Sequence, residues 1–289
     1  MTGVDDFSTG FNDEFMGSPS RFRLVRESIQ SLAASGRLTP MLDEVDVVFH
    51  LAAHGSVPKS IRYPMLTYGN NVSAFINLLE AIRESQRKPR LVFASSSSIY
   101  GDCPSVMKRE ADQGSALSPY AASKQTMESY AKLYAHVYGI QIVGLRYFNV
   151  FGPRQRADSA YAAVIPSWTA AMLRGDPVVI YGDGNHQRDF TPVSEVVWAT
   201  RSAAEANLSG CTFLNVGMGN LTSLRFLSSQ LGELTGFKGE TLFSSPRGGD
   251  VVASGADVTR LRQVLGERPV RQALPDALRG VVDWHRASV

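Results

Sequence analysis

Tyr120-Ala121-Ala122-Ser123-Lys124 sets a phenol and an ammonium four residues apart. On a helix, residues i and i+4 share a face, so Lys124 would lie beside the Tyr120 ring. A neighbouring cation favours the phenolate, and an ordinary phenol pKa of about 10 must fall for Tyr120 to act as a base near neutrality. A hydroxyl within reach could share the proton. The run Ser95-Ser96-Ser97-Ser98 supplies such hydroxyls upstream, on what reads as a strand end. The same Tyr-x-x-x-Lys spacing also occurs on solvated helix faces that do no chemistry, so the surrounding elements must decide.

Val45 to Ala52 is a short apolar run rich in β-branched residues, the pattern of a strand buried on both faces. Leu91 to Ala94 and Gln141 to Leu145 repeat it. Between them, amphipathic segments predict helices over 71–84 and 119–138, with Ser118 suited to cap the second and Pro119 to open it. Strands alternating with helices imply right-handed crossovers and a parallel sheet, hence an α/β fold. Beyond Phe151-Gly152-Pro153-Arg154 the pattern predicts a helix over 164–173, a strand over 178–181 and a helix over 193–206. A strand over 212–216 and helices near 221–234, 258–265 and 271–285 complete it. No repeat or linker stands out, so the C-terminal half is expected to fold back onto the sheet. Parallel sheets bind ligands at the carboxyl ends of their strands. Ser95 to Ser98, His50 to Ser56 and Arg146 to Asn149 each follow such an end.

With 289 residues, 44% hydrophobic and 19% charged, the chain can bury a sizeable core. A net charge of +2 makes no electrostatic case for a nucleic-acid or membrane-surface partner. Cys103 and Cys211 form neither a disulfide framework nor a metal cluster, and suit a reducing cytoplasm. His50 and His54 lack acidic or cysteine companions nearby, so no metal site is expected. No apolar run approaches the ~18 residues of a membrane span.

The motifs fall in a fixed order. They are Val4-Asp5-Asp6-Phe7-Ser8-Thr9-Gly10, His50-Leu51-Ala52-Ala53, Ala94 to Gly101, Tyr120-x-x-x-Lys124, Arg146 to Pro153, Tyr181-Gly182-Asp183-Gly184, Arg188-Asp189-Phe190 and Gly249-Asp250-Val251. In that series, which runs from Val4 to about Trp284, the chain resembles the extended short-chain dehydrogenase/reductase family. Within the family it is similar to the nucleotide-sugar 4-epimerases, above all the bacterial epimerases of UDP-N-acetylglucosamine and its uronic acid.

The resemblance implies a Rossmann-type doubly wound parallel sheet with a smaller, mostly C-terminal α/β substrate domain. Residues 1–148 would form the NAD-binding domain. Residues 149–289 would mainly bind the UDP-sugar, with segments near 177–216 returning to the cofactor domain. The implied reaction passes hydride from sugar C4 to NAD while a tyrosine removes the C4 hydroxyl proton, and returns both after the 4-keto sugar has turned over. Tyr120 would be the base and then the acid, Lys124 would lower its pKa and hold the nicotinamide ribose, and Ser96 would bond the C4 oxygen. Asp5, Ser28, Leu51, Ala52, Ala53, Asn71, Ser95 and Tyr147 complete the implied cofactor set. Ser56, Ser97 and Ser98 would line the sugar pocket, and Val164 belongs to the implied substrate-binding set. Asn149, Arg188 and Arg247 would take the diphosphate, which suits arginine's rigid donor fork. Asp250 would take the uridine ribose. Ser254 stands where some relatives carry a tyrosine, leaving room for an N-acetyl group. Ser98 has a second reading, a strand-end hydroxyl bonding its own loop. The family's dehydratases and decarboxylases carry carboxylates where this chain has Ser97 and Ser98, so epimerisation is the expected chemistry. The helices over 71–84 and 119–138 resemble the pair that builds the family's dimer interface, which implies a homodimer.

Relatives open with a strand and a G-x-x-G-x-x-G turn that brings pyrophosphate to a helix N-terminus. Here Val4-Asp5-Asp6 already reads as the second strand. About 30 residues of the pattern are absent, and the natural protein is expected to begin upstream of Met1. Glu27-Ser28-Ile29-Gln30-Ser31 stands where relatives carry Gly-Asp-Ile-Arg-Asp, Phe190-Thr191-Pro192 where they read Phe-Thr-Tyr, and Ala74 where a glycine is frequent. The rival expectation is a catalytically silent nucleotide-sugar-binding relative.

Overall fold

The computed structural model describes residues 1–9, 22–158, 162–246 and 251–287. The chain begins β1 (Thr2–Asp5), β2 (Arg23–Arg26), α1 (Ile29–Ala34), α2 (Leu38–Leu42), β3 (Val47–His50), α3 (Val57–Arg62), α4 (Pro64–Thr67), α5 (Ala74–Glu84) and β4 (Arg90–Ser96). Then come β5 (Met107–Lys108), α6 (Pro119–Tyr138), β6 (Ile142–Tyr147), β7 (Asn149–Phe151), α7 (Val164–Arg174) and β8 (Val178–Tyr181). It closes with β9 (Gln187–Arg188), β10 (Phe190–Pro192), α8 (Val193–Glu205), β11 (Cys211–Val216), β12 (Thr222–Ser223), α9 (Leu224–Thr235), β13 (Thr241–Ser244), β14 (Ala253–Ala256), α10 (Thr259–Leu265) and α11 (Leu274–Ala287). This is the expected α/β architecture of alternating strands and helices.

One compact unit takes in 1–101, 115–144 and 207–212. Here β4 lies between β3 and β6, with β11 outside β6. Strands β3 and β4 run parallel, His50 opposite Phe93. Leu91, Val92 and Phe93 are all fully buried. Successive side chains of a strand point to opposite faces, so both faces of β4 are covered, as its unbroken apolar run predicts. Strands β1 and β2 form a separate parallel pair, Asp5 opposite Arg26.

Helix α6 has the expected bounds. The Ser118 hydroxyl accepts the Ala121 N–H at 3.1 Å, Pro119 stands in the first turn, and Gly139 closes the helix at a left-handed φ of 69°. The helix expected from Asn71 starts later. Tyr68–Ser73 forms a π-helical turn, and α5 begins at Ala74. Wide turns of this kind redirect side chains. Asn71 is fully buried, accepting the His54 N–H at 2.8 Å and donating to the His54 carbonyl at 3.2 Å and to Ser123 Oγ at 3.0 Å.

The other unit takes in 102–114, 145–206 and 213–289. Its strands are short: β12-β9-β14-β5 form one sheet, and β13 with β8 and β10 with β7 form pairs. Phe151, Trp168, Phe190, Leu227, Leu231 and Leu278 belong to one apolar core drawn from β7, α7, β10, α9 and α11. The helices expected near 221, 258 and 271 begin at Leu224, Thr259 and Leu274. At the first of these, Thr222 and Ser223 pair antiparallel with Arg188 and Gln187, and Ser223 Oγ then caps α9 by accepting the Phe226 N–H at 3.2 Å. Among the described residues no helix is long and apolar enough to cross a membrane.

Candidate active site

Strand β4 and helix α6 bring the expected proton-handling groups together. Ser96 ends β4, and its hydroxyl hydrogen-bonds the Tyr120 phenol. The same Ser96 oxygen accepts the Ser98 N–H at 3.1 Å and the Ser98 hydroxyl at 2.9 Å. A hydroxyl has two acceptor sites and one proton. With both acceptor sites filled, the proton of Ser96 is directed to Tyr120. The Ser98 hydroxyl is thus engaged within its own loop, in line with its second reading.

Lys124 is buried, and its Nζ donates to the Ala94 carbonyl at 2.7 Å while lying 5.9 Å from the Tyr120 ring centroid. Burial draws this ammonium down to about 8, and the charge of Glu128 opposes that fall. Tyr120 departs from expectation. Burial pushes its phenol above the ordinary value of 10.0, and the Ser96 hydrogen bond acts against the rise. Lys124 does not bring Tyr120 down in this geometry, because its ammonium is turned to a backbone carbonyl. His50, buried on β3, is pulled down to about 3 by burial and by the Lys124 charge, and stays neutral.

Supporting contacts hold the start of α6. Ser56 caps α3 by accepting the Lys59 N–H at 3.2 Å, and Ser60 Oγ on that helix accepts the Tyr120 N–H at 3.1 Å. Asn71 reaches Ser123, the residue before Lys124. Ser95 Oγ donates to Glu128 Oε1 at 2.6 Å. Sequence reading missed Ser60 and Glu128. The second carries a legible signal, since position 128 lies on the Tyr120–Lys124 face of the helix.

The remaining cofactor positions of this unit stand at strand ends. Asp5 closes β1 with an exposed carboxylate, one oxygen of which accepts the Phe7 N–H at 2.8 Å. Ser28 caps α1, accepting the Ser31 N–H at 3.1 Å. Past β3, Leu51 and Ala52 are exposed and Ala53 half-buried. Both ring nitrogens of His54 are buried without a hydrogen-bond partner among the described residues. Exposed apolar groups beside unmatched polar atoms are the surface a dinucleotide would cover.

In the other unit, Arg188 on β9 sits in register opposite Ser254 on β14, and Asn149 on β7 opposite Phe190 on β10. Between Arg188 and Phe190, the fully buried Asp189 accepts from the Met218 and Gly219 N–H groups at 2.8 Å and from Ala256 N–H and Thr191 Oγ1 at 3.2 Å. That clamp fixes the strand carrying Arg188. Tyr147 lies 2.7 Å from Thr200 Oγ1, its phenol pushed up to about 12 by burial. Val164 opens α7. Arg247 and Asp250, like Gly10 and Gly249 of the motifs, lie outside the described residues.

Comparison with known proteins gives one answer. The NAD dependent epimerase/dehydratase family model matches residues 14–217. A UDP-glucose 4-epimerase of Mycolicibacterium smegmatis is 33% identical over 288 residues, 99% of this chain and 90% of that protein. The solved UDP-N-acetylglucosamine 4-epimerase of Methanobrevibacter ruminantium M1, in complex with UDP-N-acetylmuramic acid, superposes with a TM-score of 0.92 at 34% identity, covering 100% of this chain and 91% of its own. The UDP-glucuronic acid 4-epimerase of Bacillus cereus, in complex with UDP-glucuronic acid and NAD, gives 0.88 at 29% identity, covering 100% and 91%.

Proposed function

This chain belongs to the NAD dependent epimerase/dehydratase family, and from that premise we propose that it is a UDP-sugar 4-epimerase acting on UDP-N-acetylglucosamine or its uronic acid. The observation that carries the reading is the Ser96–Tyr120–Lys124 constellation at the end of β4. NAD, when bound, supplies the acceptor and donor of hydride. The residues present fit it. Asp5 would bond the adenosine ribose, Lys124 the nicotinamide ribose, and the segment from Leu51 to Ala53 would lie against the dinucleotide.

The chain's own residues manage the proton. Tyr120 takes it from the C4 hydroxyl and gives it back, while Ser96 would turn its single proton from the phenol to the same oxygen. Lys124 has three N–H groups and uses one on Ala94, so two remain for a ribose and the phenolate. The serines at 97 and 98 offer no carboxylate for eliminating water or carbon dioxide, which supports epimerisation. Arg188 and Asn149 would hold the diphosphate, joined by Arg247, with Asp250 on the uridine ribose. A serine at 254, beside Arg188, supports a sugar carrying an acetamido group.

A homodimer is part of the same reading. Ala122, Ser129, Leu133 and Val137 form an exposed stripe along α6. The Thr126 and Ser129 hydroxyls bond to Ala122 and Gln125 carbonyls within the helix, so the stripe presents mainly carbon.

The test is direct. Purified protein is scanned by absorbance and fluorescence for bound NAD(H), then incubated with UDP-N-acetylglucosamine, its uronic acid, UDP-glucose and UDP-glucuronic acid under proton NMR. Inversion at C4 of an acetamido sugar is expected. Turnover confined to the sugars lacking nitrogen would reject the substrate assignment, and none at all with NAD retained would favour the silent relative.

A further inference from the structure

The face of α6 that carries Tyr120 and Lys124 continues one turn further to Glu128, a carboxylate only 1% exposed. Residues 120, 124 and 128 each meet one of three successive β4 residues. Tyr120 meets the Ser96 hydroxyl, Lys124 the Ala94 carbonyl and Glu128 the Ser95 hydroxyl. Ser95 and Ser96 point to opposite sides of the strand. A bond that fixes Ser95 therefore fixes the backbone from which Ser96 projects. Burying a carboxylate is costly unless it is hydrogen-bonded and its charge is matched. A neutral side chain would pack here at less cost, so the charge itself calls for a role.

We propose that Glu128 is a positioning residue for the Tyr120–Lys124 pair: it pins the Ser95–Ser96 strand end to α6 and keeps a negative charge one helical turn from the Lys124 ammonium. The inference rests on the epimerase reading and deepens it. Lys124 is protonated below about 8 and loses its charge above that point, while Glu128 acts to keep it charged. The other titratable groups facing this pair are Tyr120 on α6 and His50 on β3, while Cys211 on β11 lies in the fields of both Glu128 and Lys132. Tyr120 and His50 are neutral near pH 7, so they leave Glu128 as the counter-charge.

Glu128→Gln keeps an acceptor for Ser95 and removes the charge. Its alkaline limb in the pH profile of kcat is expected to move to lower pH by about one unit. Glu128→Asp keeps the charge and should hold the limb in place at reduced kcat. A limb unmoved in Glu128→Gln overturns the proposal. A second readout does not depend on turnover. In protein labelled with carbon-13 at its six lysines, the Lys124 resonance, assigned by its loss in Lys124→Met, should titrate near pH 8 and lower in Glu128→Gln. An unchanged midpoint in folded Glu128→Gln rejects the role of Glu128 alone. Absence of turnover with a shifted midpoint rejects the epimerase reading and leaves the coupling standing. Should Glu128→Gln not fold, Ser95→Ala carries the test: it removes the Glu128 contact to the strand, and native kcat in this variant would overturn the proposal.

Discussion

At Tyr120 the energetics run against a resting phenolate. Burial favours the neutral phenol, one hydroxyl leans the other way, and the nearest ammonium spends one N–H on a backbone carbonyl. On the epimerase reading proposed above, the proton would leave during the reaction rather than before it. Removing the phenolic oxygen should cost the proton-transfer step and little else. Tyr120→Phe is expected to lower kcat by about 10² to 10⁴, with UDP affinity by calorimetry unchanged. Turnover at the native rate would strike Tyr120 from the proton path.

The elements that hold these groups depend on one backbone position. Gly101 ends the short 3₁₀ turn Ser97–Tyr100 at φ 48° and ψ −119°, a conformation glycine alone tolerates well. A Cβ there would meet the Ser115 carbonyl oxygen at 1.7 Å. Gly101→Ala should displace the Ser96–Ser98 loop and lower the melting temperature by several degrees, as calorimetry would show. An alanine variant with native melting and native kcat would mean that the turn adapts at no cost.

Legibility follows the range of the forces at each element. Helix α6 and strand β8 were readable to the residue, since Pro119, Gly139 and an unbroken β-branched run act locally. The π-turn at 68–73 was not, because Asn71 answers to His54 and Ser123, far along the chain. Strands β5, β9, β12 and β14 are two to four residues long and pair across wide gaps, Met107 with Gly255 and Gln187 with Ser223. No local pattern marks them. The chemistry was partly legible too: Lys124 lies over the Tyr120 ring as the four-residue spacing implied, and one hydroxyl of the Ser95–Ser98 run reaches the phenol, whereas the upward pull on the phenol arises from packing that spacing does not encode.

Considered as a whole, the molecule gives α6 two duties. One side carries the half-buried Tyr120 and the buried Lys124 and Glu128. The other leaves Leu133 and Val137 half exposed, at 50% and 54%. Exposed apolar stripes of this kind mark association surfaces. Leu133→Arg should halve the mass measured by sedimentation, whereas a native chain already monomeric at micromolar concentration would refute the dimer.

Each residue of an α-helix turns the chain by about 100°. Inserting or deleting one residue between Lys124 and Glu128 would leave composition almost untouched, yet turn the oily flank away from its present side and carry Glu128 off its serine. The helix thus has a single workable phase, and drift in this gene should tolerate exchanges along α6 far better than any change in its length.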